Sequence, residues 1–252
     1  GTATLWDSVD LGFKPTKRTW GAEVFPGSSL PNAMVQVSPV TKFHSGAGYQ
    51  YEDSVIYGFT HTNKGHWNLC HIPLLPVTGT PTPGDYCSPF SHERESAAPG
   101  YYQVFLDRYG VDAQLSSTLR CAFHKYTYPA GAAPAVLADL QRSNEHVRAW
   151  DIRKEGDNVF AGWQQTGEKM YFYAVANRPV TGIEPVVEGD REVRIVRFGE
   201  GDGALELRIG FSFVSEKNAR ENLEAEMLGK SFAEVRSEAT ATWNALLGRI
   251  RV

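Results

Sequence analysis

The residues best suited to chemistry share one short segment that ends at His71. The segment contains His61, Asn63, Lys64, His66, Trp67, Asn68 and His71. Sugars are bound by planar hydrogen-bonding groups together with an aromatic face for the C–H side of the ring. Trp67, flanked by His66 and Asn68, supplies both, and Lys64 adds a positive charge suited to an anionic substituent. The segment is therefore a candidate sugar site. The alternative is that Trp67 covers the core and the histidines satisfy backbone groups.

The acidic residues do not form an obvious catalytic pair. Glycoside hydrolysis needs two carboxyl groups that face each other about 5–10 Å apart. The closest candidates are two local pairs, Glu52 with Asp53 and Glu93 with Glu95. Neighbouring carboxylates of this kind are usually solvated or paired with a cation, and Arg94 is the expected partner of the second pair. No catalytic residue is assigned to the chain.

A metal site is not predicted from local spacing. His61, His66 and His71 are five residues apart, which does not match the i, i+4 spacing of helical ligands. The sequence also lacks CxxC and HExxH patterns. Metal ligands are left unassigned.

Three cysteines leave the redox state open. They are Cys70, Cys87 and Cys121. A Cys70–Cys87 bridge would close a loop rich in proline and glycine, whereas three reduced thiols would behave as small apolar side chains. Both arrangements are compatible with the sequence.

The composition excludes two classes of partner. The 252 residues carry a net charge of -4 and no long block of Lys or Arg, so a nucleic-acid surface is not expected. No window approaches the roughly 20 apolar residues that a membrane span requires. The chain does not begin with Met and contains no signal peptide, so we expect it to start within a longer gene product or after processing.

Short β-branched and aromatic runs, separated by turn residues, dominate residues 1–213. We predict strands at Met34–Val40, Val55–Thr60, Tyr101–Leu106, Val111–Thr118, Arg120–Tyr128, Ala135–Leu140, His146–Ile152, Asn158–Gln164, Met170–Ala176, Arg191–Phe198 and Ala204–Phe213. Strands at this spacing predict a large, two-sheet antiparallel β-sandwich. The loop-rich stretch Thr41–Pro99 is expected to carry function, because its many aromatic residues argue against disorder.

The periodicity becomes helical from Ser215 onward. Ser231 and Glu234 form a capping-box pair, and apolar residues follow at three- and four-residue spacing. We therefore divide the chain into a β-sandwich at 1–213 and a helical linker at 214–252. Linker helices that lead to a further domain and a terminal helix packed on its own sheet are both compatible with the sequence.

Several ordered motifs resemble one known family. They are Phe25–Pro31, Met34–Pro39, Gly48–Asp53, Gly58–Thr62, Phe90–Tyr102, His124–Pro129, Gly210–Glu226 and Trp243–Ile250. Together they run through almost the whole chain from near Trp20 to Val252. The chain resembles the N-terminal domain of glycoside hydrolase family 92, a group of exo-acting α-mannosidases.

The resemblance implies a division of labour. It implies a β-sandwich of the supersandwich type, followed by a C-terminal (α/α) barrel that supplies the acid and base carboxylates. Hydrolysis would be inverting and would depend on calcium (Ca2+), and the active site would lie between the two domains. The sandwich would contribute substrate loops at Pro26 and Gly27 and after His61, which favours Lys64, His66, Trp67 and Asn68 as sugar contacts. This chain alone would be inactive.

The resemblance also implies a setting and partners. The expected partners are mannose-containing glycans and the enzyme's own catalytic domain, and the expected location is secreted or periplasmic, as in bacterial members. The loop Asn63–His71 departs from the family, whose members continue with a longer His-Leu-Ser-Gly-Thr-Gly type of loop. Lys64 and the histidines would suit an anionic leaving group, such as a mannose phosphodiester. The alternatives are a stand-alone carbohydrate-binding module and a structural domain without sugar function.

Overall fold

Two eight-stranded antiparallel sheets form the molecule in the computed structural model, which describes residues 25–65 and 67–249. The strands are β1 (Ser28–Ser29), β2 (Val35–Val40), β3 (Val55–Ile56), β4 (Gly58–Lys64), β5 (Trp67–Asn68), β6 (Leu74–Val77), β7 (Ser88–Pro89), β8 (Glu95–Ala98), β9 (Tyr101–Leu106), β10 (Val111–Ser117), β11 (Cys121–Thr127), β12 (Ala135–Ala138), β13 (Ala149–Gly156), β14 (Val159–Gln165), β15 (Lys169–Ala176), β16 (Val180–Glu188), β17 (Arg191–Phe198) and β18 (Leu205–Ser212). Two helices follow, α1 (Glu216–Glu226) and α2 (Phe232–Leu247). The predicted fold class, a mainly-β antiparallel sandwich followed by helices, is confirmed.

The strand order places the ends of both sheets near one another. The first sheet runs β1-β2-β4-β6-β12-β17-β16, with β5 paired to β4, and the second runs β13-β14-β15-β18-β11-β10-β9-β8. A small third sheet joins β3 to β7. The terminal strands β13 and β16 are in contact, so the sheets approach each other at that edge.

Strict alternation in β18 shows how the sequence builds the core. Leu205, Leu207, Ile209 and Phe211 are fully buried, whereas the alternating Glu206 and Arg208 are partly exposed. Successive side chains of a strand point to opposite faces, so one face of β18 belongs to the core between the sheets. Each such side chain contributes about 1.5–3 kcal/mol when it is fully removed from water.

The predicted strands are found with small shifts, and six strands were missed. Tyr101–Leu106 and Arg191–Phe198 match β9 and β17 in full, whereas β13 begins at Ala149 and not at the predicted His146. The missed strands are β1, β5, β6, β7, β8 and β16. Strands β6 and β16 each contain a proline, which sequence patterns treat as a breaker.

Helices α1 and α2 lie on the second sheet. Ser215 caps α1, and Ser231 with Glu234 forms the predicted capping box of α2. Helix α1 packs on β18 and β15, while α2 contacts β9, β10 and β11, and Trp243 Nε1 donates to the carbonyl of Ser29 at 2.7 Å. The helices are therefore packed on their own sheet. The division of the chain at 213/214 and the role of 214–252 as a linker stay predictions.

All three cysteines are free. Cys70 and Cys121 are buried, and Cys87 is partly exposed. A Cys70–Cys87 bridge is absent, and burial raises the pKa of the Cys70 thiol to about 12. No helix in the described part of the chain has the length and apolar character needed to cross a membrane.

Candidate functional site

The hairpin of β4 and β5 carries the most exposed part of the predicted sugar segment. Asn63 pairs with Asn68, and Lys64 pairs with Trp67. Gly65 forms the tip with a φ of 61° and has open space around it. Lys64 is exposed and Trp67 is 47% exposed. Residues directly opposite each other on paired strands lie on the same face, so an aromatic ring and an ammonium group occur side by side. The predicted contact His66 lies outside the described residues.

A network of polar side chains lies behind this hairpin. His71 Nε2 lies 2.9 Å from Glu145 Oε2, and His71 Nδ1 lies 2.8 Å from Thr62 Oγ1. Thr166 Oγ1 donates to the same oxygen of Glu145 at 2.7 Å. His71 is almost completely buried, but Glu145 is 40% exposed. The network thus connects the hairpin strand to a carboxylate that solvent and ligands can reach.

The charges of this network are set by burial and by hydrogen bonds. Burial lowers the pKa of His71, although the hydrogen bond and charge of Glu145 oppose the shift. Burial acts to raise the pKa of Glu145, but hydrogen bonds from Thr166 and His71 and the charge of Lys64 leave it below its usual value. A neutral His71 then donates from Nε2 to the carboxylate and accepts from Thr62 at Nδ1. Glu145 is the fixed anion, and it attracts Lys64.

Asn68 is an internal anchor of the hairpin. Its side chain is 1% exposed, and its Oδ1 accepts from the backbone N–H of Cys70 at 2.8 Å. Asn144 Nδ2 donates to the carbonyl of Asn68 at 2.7 Å, which ties the hairpin to the loop that bears Glu145. Asn68 therefore positions the predicted site from behind and faces no solvent.

His61 also lies inside the molecule. It is fully buried, its Nε2 is 2.9 Å from His124 Nε2, and its ring centroid is 4.6 Å from that of Phe211. Burial is the main cause that lowers the pKa of His61 to about 3. A ligand at the surface of this chain does not reach His61.

Pro26 and Gly27 lie beside β2, away from the hairpin tip. A Cβ atom on Gly27 would lie 2.1 Å from the carbonyl oxygen of Val37, so this glycine allows the close approach of the chain to β2. The pairings Ser28–Val37 and Ser38–Thr60 place Gly27 level with Thr60. Gly27 therefore lies about 13 Å from Lys64 along the strand direction and about 10 Å from it across the strands. The structure therefore brings Lys64 and Trp67 together, but it does not join Gly27 to them.

A second carboxylate is enclosed by aromatic residues. Glu95 accepts hydrogen bonds from Tyr102 at 2.6 Å and from Tyr49 at 3.1 Å, and its Oε2 lies 2.5 Å from His92 Nδ1. We call these four residues the Glu95 cluster. The expectation that Arg94 pairs with this carboxylate is wrong, because Arg94 lies over the Phe105 ring and 3.8 Å from Asp107. Arg94 is the last residue of the short 3-10 turn His92–Arg94, which precedes β8, and its side chain is more than half exposed.

Two members of the hairpin network were not predicted as functional. Glu145 and Thr166 are separated from His71 by 74 and 95 positions, and no local motif marks either residue. Only the pairing of distant strands brings them to the hairpin.

The described residues offer no group of acidic side chains for calcium. Among residues 25–65 and 67–249, no three His, Cys, Asp or Glu side chains are grouped so that they could hold a metal ion. Calcium prefers six to eight oxygen ligands, which a lone carboxylate such as Glu145 cannot supply.

The comparison with known proteins decides the family. The sequence profile described as the glycosyl hydrolase family 92 N-terminal domain matches residues 14–222. The chain belongs to glycosyl hydrolase family 92, as its N-terminal domain. This family 92 domain is similar to an uncharacterized secreted glycosidase of Arthroderma benhamiae. The two are 25% identical over 283 residues, and the match covers 91% of this chain and 36% of that protein.

Solved structures of family 92 enzymes are similar to the same extent. A family GH92 alpha-mannosidase from Bacteroides thetaiotaomicron is 25% identical, with a TM-score of 0.82 over 91% of this chain and 36% of that chain. A further GH92 family glycosyl hydrolase is 26% identical, with a TM-score of 0.79 over 92% of this chain and 36% of the other. The family 92 chain described here thus spans about a third of the length of these relatives.

Proposed function

We propose that this chain is part of an α-mannosidase, in which it supplies one wall of the mannose-binding cleft. The family membership supports this proposal, as do the names of the similar structures, which include alpha-mannosidases. The single observation that carries the role of this chain is the exposed pair of Lys64 and Trp67, in which the charge of Lys64 acts on the ionised Glu145. An aromatic face close to a charged donor, with an acceptor held by hydrogen bonds nearby, is suited to a pyranose ring.

The division of labour is tested by supplying and removing the rest of the enzyme. We expect no turnover of an aryl α-mannoside or an α-1,2-linked mannobioside by residues 1–252 alone. Turnover is expected when the same residues are part of the full-length enzyme. Measurable hydrolysis by the chain alone would show that its own residues suffice for catalysis, and the proposal would fail.

The contribution of the hairpin is tested by Trp67→Ala in the full-length enzyme. Loss of the aromatic face removes sugar contacts, so we expect kcat/KM for the α-mannoside to fall about tenfold or more. Trp163→Ala is the matched control, because Trp163 lies on the second sheet, where Lys169 covers its ring. If both variants lose the same activity, the hairpin has no special role.

The stereochemistry and the metal requirement are separate parts of the proposal. We propose that hydrolysis inverts the anomeric configuration and requires calcium. The first anomer released, followed by proton NMR, should be the β-anomer of mannose. Chelation should abolish activity and calcium should restore it. No catalytic step of this chain is assigned to the metal, because its described residues lack a suitable ligand group.

A mannose phosphodiester is the second candidate substrate, and the exposed position of Lys64 favours it. The ammonium group would contact the phosphate on the leaving-group side, where charge-assisted hydrogen bonds are strong. Lys64→Ala should then lower kcat/KM for the phosphodiester by a larger factor than kcat/KM for the neutral α-mannoside, because only the phosphodiester loses a contact between opposite charges. Equal effects on both substrates would exclude this preference. Mannose binding by residues 1–252 alone, lost in Trp67→Ala, would instead favour a carbohydrate-binding module.

We propose a secreted location for the enzyme. The similar protein from Arthroderma benhamiae is named a secreted glycosidase. Recovery of the full-length protein from the culture fluid of its source would support this location.

A further inference from the structure

Glu145 is tethered to both strands of the hairpin of β4 and β5. On the side of β4, Glu145 Oε2 lies 2.9 Å from His71 Nε2, and His71 Nδ1 lies 2.8 Å from the hydroxyl of Thr62. On the side of β5, the neighbouring Asn144 donates to the carbonyl of Asn68 at 2.7 Å. The position of Glu145 beside the hairpin is therefore set from two directions.

These contacts use one oxygen of the Glu145 carboxylate. Oε2 accepts from Thr166 Oγ1 at 2.7 Å and also faces His71 Nε2. In the described part of the chain, no residue forms a hydrogen bond with Oε1, and the side chain is exposed. An ionised carboxylate accepts at both oxygens, so Oε1 can accept a hydrogen bond from a hydroxyl group of a ligand.

Lys64 and Trp67 lie on the face of the hairpin from which this network begins. Thr62 and Lys64 are two positions apart on β4, so their side chains share a face. Lys64 pairs with Trp67 across the strands, which brings the indole to the same face. The ammonium group, the indole and the carboxylate therefore border one surface. In agreement with this arrangement, the charge of Lys64 is one of the causes that lower the pKa of Glu145.

The positive charge of Lys64 is balanced within this surface. Glu145 supplies one fixed carboxylate, held by two hydrogen bonds. Glu168 supplies another, because its carbonyl accepts from the N–H of Thr166 at 2.9 Å and its charge acts on His71. His71 itself is neutral, since burial lowers its pKa. A phosphate group placed beside Lys64 would therefore also approach fixed negative charge.

We propose that Glu145 makes the hairpin surface selective for an uncharged glycan. This inference rests on the proposed mannose-binding cleft, and it favours the neutral substrate over the phosphodiester. Oε1 accepts a sugar hydroxyl, while the charge of the carboxylate repels a phosphate. A repulsive element of this kind is a common source of specificity between ligands that differ in one group. Lys64 acts in the opposite direction, because its ammonium group attracts the phosphate.

Binding to the full-length enzyme tests this role with two matched disaccharides. They are an S-linked α-1,2-mannobioside, which resists hydrolysis, and the same compound with a phosphate on the primary hydroxyl of its reducing unit. Calorimetry gives Kd for each, and the ratio of the two values is the measured quantity. We expect Glu145→Gln to shift this ratio about fivefold or more toward the phosphorylated compound. Lys64→Ala should shift it the other way.

The charge is separated from a structural effect by the choice of variant and by salt. Glutamine keeps the length of the side chain and one acceptor oxygen for His71 and Thr166. Raising NaCl from about 20 mM to about 500 mM should shrink the shift, because salt screens exposed charges. Glu188→Gln is the matched control, since it removes the same charge at an exposed position on β16, the last strand of the first sheet. This control should leave the ratio unchanged.

A salt-sensitive shift in Glu145→Gln, with an unchanged ratio in the control, supports the proposal. It is overturned if Glu145→Gln leaves the ratio unchanged, if Glu188→Gln shifts it equally, or if salt does not weaken the shift. It is also overturned if the wild-type enzyme binds the phosphorylated compound more tightly, or does not bind the neutral one. The compounds are not hydrolysed, so these results are distinct from a lack of turnover, which would refute the proposed α-mannosidase activity instead.

Discussion

At the residue scale, the buried histidine pair has a direct effect on stability. His61 and His124 are fully buried and joined by a hydrogen bond of 2.9 Å between their Nε2 atoms, so one donates and the other accepts. His124 Nδ1 is in turn 2.6 Å from the hydroxyl of Tyr126. Burial lowers the pKa of both histidines. Both are therefore neutral in the folded protein.

The protein should lose stability as the pH falls below about 6.5. The pKa of His61 is about 3 when folded and 6.5 when unfolded, so the unfolded chain binds the proton more readily. This contribution to the free energy of unfolding is fully present above pH 6.5. As the pH falls toward the pKa of the folded state, it decreases by about 1.4 kcal/mol per pH unit for each such histidine. Urea unfolding at pH 7.5 and pH 5 measures this loss. His44→Gln, at an exposed position, should leave the slope unchanged, whereas an equal stability at both pH values would contradict the prediction.

The Glu95 cluster should be structural. Both carboxylate oxygens of Glu95 are hydrogen-bonded by Tyr49, Tyr102 and His92. Glu95→Gln leaves only one acceptor oxygen for these three partners. We expect a loss of about 1–3 kcal/mol in the free energy of unfolding, because a buried partner loses its hydrogen bond. Chemical denaturation of this variant and of Glu93→Gln, whose side chain is exposed, provides the comparison. If the Glu95 cluster does not stabilise the fold, the two variants will have the same denaturation midpoint.

At the element scale, glycine sets how closely α1 approaches the second sheet. A Cβ atom on Gly210 would lie 2.1 Å from the carbonyl oxygen of Ala219 and 2.8 Å from the Cβ of Leu223. Gly210→Ala should therefore push α1 away from β18 and destabilise the fold by about 1–3 kcal/mol. Gly182→Ala in β16 is the control, because nothing lies within 4 Å of its Cβ position. The thermal midpoints of the two variants should differ, and a Gly210→Ala midpoint equal to that of the wild type would show that α1 can shift freely.

The sequence predicted the elements in which apolar residues recur with a clear period. It missed those that are stabilised mainly by pairing with neighbouring strands. The alternation of β18 and the capping box of α2 are local signals, and both are found. Strand β16 contains Gly182 and Pro185, which weaken a strand in isolation, but its pairing with β17 compensates. Register and layer order depend on contacts between distant residues.

The candidate site was predictable only in its exposed part. Lys64 and Trp67 form a cross-strand pair at a tight turn, which local sequence can indicate. The burial of His61 and Asn68 follows from packing against His124 and the loop at Ala47. A polar residue type alone does not reveal whether its partners will be solvent, ligand or protein.

At the scale of the whole molecule, the loop of residues 139–148 organises one side of the sandwich. Asn144 Oδ1 accepts from the backbone of His44 at 2.6 Å, and its Nδ2 donates to the carbonyls of Ser45 and Asn68. One side chain therefore fixes two other segments. Asn144→Ala would leave these backbone groups without partners, and we expect it to lower the free energy of unfolding by about 1–3 kcal/mol, as urea unfolding can measure. A denaturation midpoint equal to that of the wild type would show that these segments are held independently of Asn144.

The exposed edge of β16 has a consequence for self-association. In the described part of the chain, β16 is the last strand of the first sheet, and Val187 is 62% exposed there. Unpaired strand edges recruit further strands and lead to aggregation, which charged residues and proline prevent. Pro185 lacks an N–H donor, and Glu184 adds a charge on this strand. Replacing both with valine should allow this edge to pair with strands from other copies, and light scattering should then increase on storage.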